Sequence, residues 1–343
     1  MKDYTVFIAD DYKLPEILDD TAEQLRKLGI KVIRGPKTAK GKRLEYSEEI
    51  LQELFGEADA AMFSSRSICD SRVIHAAPKL RGIVNPTIAV DTVDVELATE
   101  NGILVGNGAI AENYIEMSEA TIMLMLMLMY DPFKSIRLLK ENLPEPSLHD
   151  HWARMMYKKT VGLLGLGRIG RGVAERLSTW DMDIIAYDPY IDQELVPDYV
   201  EMVDLDSLYK RSDLIGVFLV VTDETRGMLN DEAFSRMKEG VKFINTSRGQ
   251  VVDEAALARA LESGKVSGAA LDTFQVEPLP EDSLLRKMDN VILTPHIVGH
   301  ALECQLKLAG AAVENIMNIL EGKPPKYLVN PKALPKFQER FCK

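Results

Sequence analysis

Cysteine is scarce in this chain. Its three cysteines, Cys69, Cys304 and Cys342, are far apart, odd in number and without CxxC spacing. That pattern offers neither a disulfide framework nor a zinc site, so no metal is expected, and a reducing cytoplasm is the natural compartment. Long apolar runs are also missing, so no membrane span is required. The opening MKDYTVFIADD runs apolar only over 6–9 before acids intervene, which is too short for a signal peptide. Positive charge is in deficit: the formal net charge of −12 argues against a nucleic-acid groove, which needs a basic face to neutralise phosphates. The one basic cluster, 37–43, reads as a solvated loop. What remains is a chain of 343 residues, 46% hydrophobic, enough for about two domains with sizeable cores.

Strand-like runs over 5–9, 31–34, 60–63, 82–85 and 103–106 alternate with helical stretches such as 14–28. This is the pattern of a parallel α/β domain. Residues 110–130 have helical length; the MLMLMLM repeat at 123–129 has a strand's period of two, yet its length and helix-favouring residues argue for helix. A buried or subunit-facing helix filled with adaptable Met and Leu accounts for it. An exposed loop is expected over 144–148. A second α/β unit follows, with strands at 161–164, 184–187, 214–221, 241–245, 268–271 and 291–293 and helices at 231–237 and 254–263. A long amphipathic helix over 301–320 is ended by Gly322, Pro324 and Pro325.

The most informative stretch is VGLLGLGRIG, 161–170, followed by AERL and by IIAYDPY. Gly165, Gly167 and Gly170 fall on GxGxxG spacing after an apolar strand: one glycine for a tight turn, one for backbone approach to a pyrophosphate, one for helix-on-strand packing. The helix opening at Arg168 and Ile169 would aim its first N–H groups and positive dipole end at the phosphates. Asp188, ending the next strand, can accept hydrogen bonds from an adenosine ribose and would repel a 2′-phosphate, which favours NAD over NADP.

Three polar residues follow strand-like runs, where ligand-facing groups collect in parallel sheets. Arg248 in FINTSRGQVVDE can hold a carboxylate with paired hydrogen bonds; an interdomain salt bridge is the other reading of its position. His296 in LTPHIVGH suits proton exchange with an alcohol or carbonyl oxygen, although a histidine so placed can equally be structural. Glu277 in DTFQVEPLP can orient His296 and stabilise its protonated form, or serve as a capping acid.

Taken together, KTVGLLGLGRIGRGVAERL, AYDPY, TDETRGMLN, MKEGVKFINTSRGQVVDEAALARAL, GAALDTFQVEP and NVILTPHIVG stand in order and at near-standard intervals. With them the chain, from residue 1 to about 334, resembles the NAD-dependent D-isomer-specific 2-hydroxyacid dehydrogenases. The resemblance implies two Rossmann-like parallel-sheet α/β domains with a cleft between them. One is a flavodoxin-like substrate-binding domain of 1–111 plus 299–343, the other an NAD-binding Rossmann domain of 112–298. It implies Arg248, Glu277 and His296 as the catalytic trio, Asp272 as the holder of the nicotinamide carboxamide, and Thr222 and Thr246 in the cofactor site. It implies a 2-hydroxy or 2-oxo acid as substrate, which the departures described next narrow to a small, polar one, and a homodimer paired through the nucleotide domains, with the Met-rich helix near the interface. Formate- and phosphite-type dehydrogenases of the same family, and NAD-sensing co-repressors that resemble it, are the alternative functions. At this length the regulatory domains of longer phosphoglycerate dehydrogenases are not expected beyond 343.

The chain departs from that family on the substrate side. Where many relatives carry GVGxDNID, residues 87–94 read TIAVDTVD. Thr87 and Ala89 cannot readily take a positive φ, so the loop bearing Ile88 and Ala89 is expected to run differently. A second substrate loop reads FSSRSICD, in which Ser64, Ser65 and Arg66 offer hydroxyls and a displaced cation, or form a solvated turn. The HxPxT element is replaced by Phe218, Leu219, Val220, Val221 and Thr222, which leaves that wall of the cofactor site apolar. His300 stands where relatives carry a small or aromatic residue and can meet a polar substrate tail or face solvent.

Overall fold

The computed structural model describes residues 3–147 and 153–342. Within it the chain divides into two compact units, Met1–Asn113 with Ala301–Lys343, and Tyr114–His300. The loop expected over 144–148 is exposed at 144, 145 and 147 and half-buried at Pro146, and Leu148 lies outside the described residues.

In the first unit, strands β1 (Thr5–Ile8), β2 (Lys31–Arg34), β3 (Ala60–Met62), β4 (Gly82–Val84) and β5 (Leu104–Gly106) form one parallel sheet in the order β2-β1-β3-β4-β5. Alternate side chains leave by opposite faces. Val6, Ile8, Ala60, Met62, Val84 and Leu104 join a core with the helices Pro15–Lys27 and Leu302–Leu320. Phe7, Ala61, Ile83 and Val105 join another with the helices Glu48–Phe55, Ser71–Ala76 and Val95–Glu100. Because both faces are covered, the strands read as continuous apolar runs rather than alternating ones. The C-terminal segment is pinned to β5 by Asn330, whose Oδ1 accepts from the Val105 N–H (2.7 Å) while Nδ2 donates to the Ile103 carbonyl and Thr99 Oγ1 (2.9 Å each).

In the second unit, β6 (Thr160–Leu164), β7 (Asp183–Tyr187), β8 (Glu201–Met202), β9 (Leu214–Val217), β10 (Val241–Asn245), β11 (Val266–Leu271) and β12 (Val291–Leu293) form a parallel sheet ordered β12-β11-β10-β9-β6-β7-β8. The order reverses between β6 and β9, the switch point beside which ligands bind in doubly wound sheets. The equivalent reversal in the first unit lies between β1 and β3.

The helix Ala111–Tyr130 takes in the whole Met-rich repeat. Ile122, Leu124, Met125, Leu128 and Met129 are buried with Val161, Leu163 and Ile244, while Met123 is exposed. The strand expected over 214–221 ends at Val217, four residues early. After Phe218 donates to the Leu164 carbonyl, the chain leaves the sheet, and the Thr225 hydroxyl donates to the Val220 carbonyl in a side-chain-closed turn. Val220 is 73% exposed there, so its β-branched side chain contributes nothing to the core.

Candidate active site

The glycine turn after β6 assigns a different task to each glycine. Gly165 has φ +95°, and a Cβ on it would lie 2.8 Å from the Phe218 carbonyl oxygen. A Cβ on Gly170 would lie 2.4 Å from the Gly165 oxygen, so the helix Arg168–Leu177 packs directly on the turn. Gly167 is the residue preceding that helix; no side chain caps it, and a Cβ there would meet nothing within 4 Å. An open space before an uncapped helix start of ten residues fits a pyrophosphate. Arg168 stacks its guanidinium 5.0 Å from the centre of the Tyr114 ring, and Ile169 is partly buried against the neighbouring core.

Asp188 closes β7. Its Oδ2 accepts from the Leu166 N–H (2.9 Å), inside the glycine turn, and its Oδ1 accepts from the Tyr190 N–H (3.0 Å). A carboxylate has about four lone-pair sites, so both oxygens keep capacity for ribose hydroxyls. Thr222 is exposed and takes part in the turn through Thr225, with its N–H donating to Thr225 Oγ1 at 2.8 Å. Thr246 is instead buried, with its hydroxyl 3.1 Å from that of Thr121.

Arg248, Glu277 and His296 all belong to the second unit. Beyond β10 the buried Asn245 side chain shapes the turn that presents Arg248: its Oδ1 accepts from the Ser247 N–H (3.0 Å) and hydroxyl (2.9 Å), and its Nδ2 donates to the Arg248 carbonyl (2.9 Å). Gly249 follows because a Cβ there would sit 1.9 Å from the Phe274 carbonyl carbon. The backbone carrying Arg248 therefore touches the segment leading to Glu277.

His296 sits beyond β12 with φ +60°, a left-handed conformation that costs roughly 1–3 kcal/mol in a non-glycine residue and persists where surroundings over-determine it. Here the surroundings are Asp272. Only 2% exposed at the end of β11, its Oδ1 accepts from Thr294 Oγ1 (2.7 Å) and from the N–H groups of Ile297 (3.0 Å) and Val298 (3.2 Å), on both sides of the histidine. Burial pushes the Asp272 carboxyl above its ordinary range, against the opposing pull of those donors and of His296. His296 Nδ1 then lies 2.9 Å from each carboxylate oxygen of Glu277, whose Oε1 also accepts from the Phe274 N–H at 3.4 Å.

The residues singled out on the substrate side are in the first unit, apart from His300. Ser64 is buried, and its hydroxyl donates to Asp11 Oδ2 at 2.7 Å; that of Ser65 donates to the same oxygen at 3.2 Å. Asp11, 1% exposed, needs these donors, so the serine protons serve the loop. Arg66 is 5% exposed with its guanidinium 5.7 Å from the Tyr12 ring centre. The 87–90 loop runs without positive φ at Thr87 or Ala89. Asn85 replaces the glycines as its organiser, accepting from the Thr87 N–H and hydroxyl (2.9 Å each), while Asn107 Nδ2 donates to the Ile88 carbonyl (2.9 Å). His300 is exposed, and its N–H donates to the Ile297 carbonyl.

Sequence reasoning passed over Asp11, Asn245 and the loop-holding role of Asp272. Each is a short polar residue at the C-terminal end of a buried strand or within three positions beyond it, the one signal that would have marked them. Among the described residues, no group of His, Cys, Asp and Glu could hold a metal ion, and no helix is long and apolar enough to cross a membrane. Cys69 and Cys304 are buried free thiols and Cys342 an exposed one.

Comparison with known proteins bears directly on this arrangement. Residues 122–298 match the model of the D-isomer specific 2-hydroxyacid dehydrogenase NAD binding domain. The chain is 36% identical to a D-3-phosphoglycerate dehydrogenase of Archaeoglobus fulgidus over 321 residues, 92% of this chain but 58% of that protein, so it spans little more than half the relative's length. It is 36% identical to a glyoxylate reductase of Thermofilum pendens over 291 residues, covering 84% of this chain and 85% of that one. Its fold is similar to that of a glyoxylate reductase crystal structure from Paecilomyes thermophila, with TM-score 0.82, 27% identity, and 96% and 99% of the two chains covered. A glycine turn, an acid closing the next strand and a paired histidine on this doubly wound sheet agree with those matches: the chain belongs to the D-isomer specific 2-hydroxyacid dehydrogenases, a family of NAD-dependent oxidoreductases.

Proposed function

We propose that the protein interconverts a small, polar 2-hydroxy acid and its 2-oxo acid with NAD(H), His296 acting as general acid and base. The observation that carries this reading is the left-handed His296 with its Nδ1 2.9 Å from both oxygens of Glu277. A histidine paired at Nδ1 turns its other ring nitrogen, Nε2, outward as the atom that exchanges a proton. NAD, when bound, supplies or accepts the hydride. In reduction Arg248 holds the substrate carboxylate and polarises the neighbouring carbonyl, while protonated His296 donates from Nε2 to the oxygen on C2. Glu277 stabilises the imidazolium until that transfer. In oxidation neutral His296 accepts the hydroxyl proton, and Glu277 stabilises the charge it gains.

Gly165, Gly167, Arg168, Ile169 and Gly170 would cradle the pyrophosphate, Asp188 would hold the adenosine ribose, and Thr222, Thr246 and Asp272 would line the rest of the cofactor site. Arg66, with the backbone of Ile88 and Ala89, and His300 would choose the acid. Ser64 and Ser65 would act through the loop they brace, because their protons already serve Asp11.

A homodimer formed through the second unit is part of the same reading. The helix Pro132–Lys140 buries none of its residues, and Phe133, Ile136 and Leu139 are exposed, Leu139 to 85%. Apolar side chains grouped on one short helix are the kind of surface that a second copy covers. Three free thiols and a net charge of −12 support a cytoplasmic enzyme of small molecules over a binder of nucleic acid.

Initial rates of NADH and NADPH oxidation across glyoxylate, hydroxypyruvate, phenylpyruvate, branched-chain and phosphorylated 2-oxo acids test the reading. It expects an NADH-dependent rate confined to one chemical class. Silence across the panel with NADH bound would overturn it.

A further inference from the structure

Glu254 has no place in the chemistry above, yet it is half-buried and turned away from its own helix. The helix Glu254–Glu262 is already capped by Asp253, whose Oδ1 accepts from the N–H groups of Ala255 (3.0 Å) and Ala256 (3.1 Å). Glu254 instead reaches across to the segment after β11, where its Oε1 accepts from the Gln275 N–H at 2.5 Å. Gln275 is two residues before Glu277. Two further contacts join the same pair of segments: Gln250 Nε2 to the Gln275 carbonyl (3.4 Å), and the close passage of Gly249 against the Phe274 backbone. Of the three, only the Glu254 bond is charge-assisted, and such bonds are roughly twice as strong as neutral ones. The carboxyl of Glu254 is held above its ordinary range by burial, against the pull of the Gln275 N–H. A carboxylate kept in that setting marks the Gln275 bond as one the loop depends on.

We infer that Glu254 is a positioning residue for Glu277: by clamping the Gln275 N–H it sets where the Glu277 carboxylate meets His296, and it ties that carboxylate to the segment presenting Arg248. The inference rests on the acid–base reading of Glu277 and His296. Removing the clamp leaves both catalytic side chains in place but lets their pairing drift, and a misplacement near 1 Å costs up to ~10²-fold in rate.

The test is a double-mutant cycle of Glu254→Ala and Glu277→Gln, read by kcat, KM, NADH affinity and the pH profile of 2-oxo acid reduction. Glu254→Ala is expected to lower kcat about tenfold, within that range, to leave NADH affinity unchanged, and to move the alkaline limb of the profile toward lower pH, as Glu277→Gln does. Glu254→Gln, which keeps an acceptor oxygen but not the charge, should recover part of the rate. The double variant should be no slower than Glu277→Gln alone, because both act through one pairing. If Glu254→Ala proves unfolded, Glu254→Asp, one methylene short of Gln275, carries the same expectation. Additive losses, or equal losses in Glu254→Ala and Glu254→Gln, would overturn the inference. Glu277→Gln without effect would overturn the reading beneath it.

Discussion

Nδ1 of His296 lies 2.9 Å from both carboxylate oxygens of Glu277. The chain holds this pair by two independent devices, Asp272 beneath the histidine loop and the 248–254 segment against the glutamate loop. If the account is right, perturbations separate cleanly into those that move the pairing, those that move the cofactor cradle and those that only loosen a unit.

The glycine turn gives the sharpest contrast. Gly167→Ala adds a methyl into open space, so its melting temperature should stay near that of the parent while NADH affinity falls. Gly170→Ala, with a Cβ 2.4 Å from the Gly165 oxygen, should destabilise by about 1–3 kcal/mol, the usual cost of overpacking. Thermal unfolding with parallel NADH titration measures both.

Removing Asp188 should change which cofactor is used. Its carboxylate is braced by two backbone N–H groups, and hydrogen bonds to a charged group contribute about 1.5–3 kcal/mol. Asp188→Ala should therefore lower the preference for NADH over NADPH by roughly 10–100-fold, measured as the ratio of kcat/KM values. An unchanged ratio would remove Asp188 from the cofactor site.

Acid should reveal the anchor beneath the first unit's 37–43 loop. Burial alone would raise the Asp10 carboxyl, but the Thr38 N–H and hydroxyl and the Lys37 ammonium hold it below its ordinary value. A carboxyl with a depressed folded value adds stability that is present above its unfolded pKa and lost as pH falls through the folded one. Asp10→Asn should cost about 1–3 kcal/mol at pH 7, and the gap from the parent should close below the ordinary carboxylate range. Unfolding curves at several pH values would show it; a gap constant with pH would contradict the account.

Asn330 ties the C-terminal segment to β5 at Val105 and to the chain before it at Thr99 and Ile103, three hydrogen bonds in a site where it is 5% exposed. Asn330→Ala strands buried backbone groups at Val105 and Ile103, and should destabilise by at least ~2 kcal/mol, since each stranded group costs about 1–3. Chemical denaturation measures this, and a cost below half that would show that the segment is held elsewhere.

Much of this was legible in the residues because local pattern and global fold agree. The apolar runs of β1, β3 and β6 suit buried strands by their length, and Gly165, Gly167 and Gly170 carry their tasks in their spacing. The Met-rich helix was also readable, since length outweighs a period of two. Strand ends were less so: Val220 and Val221 look like strand, but Thr225 closes a turn that turns them out of the sheet. Nor did the sequence reveal how polar side chains partner one another. Ser64 and Ser65 look like donors for a substrate until Asp11, more than fifty residues earlier, is seen to take both protons. Asn85 replaces the lost glycines by a local turn to Thr87, and Asn107 by a bond to Ile88 from nineteen residues away, which no short motif records.

The most direct test of the central claim is single-turnover reduction of the preferred 2-oxo acid by the NADH complex of His296→Ala beside the parent. The account predicts a fall of at least ~10²-fold in the rate of NADH oxidation, the scale of general acid–base catalysis, with NADH affinity unchanged. A variant that turns over at the parent's rate would show that His296 does not carry the proton, and would contradict the account.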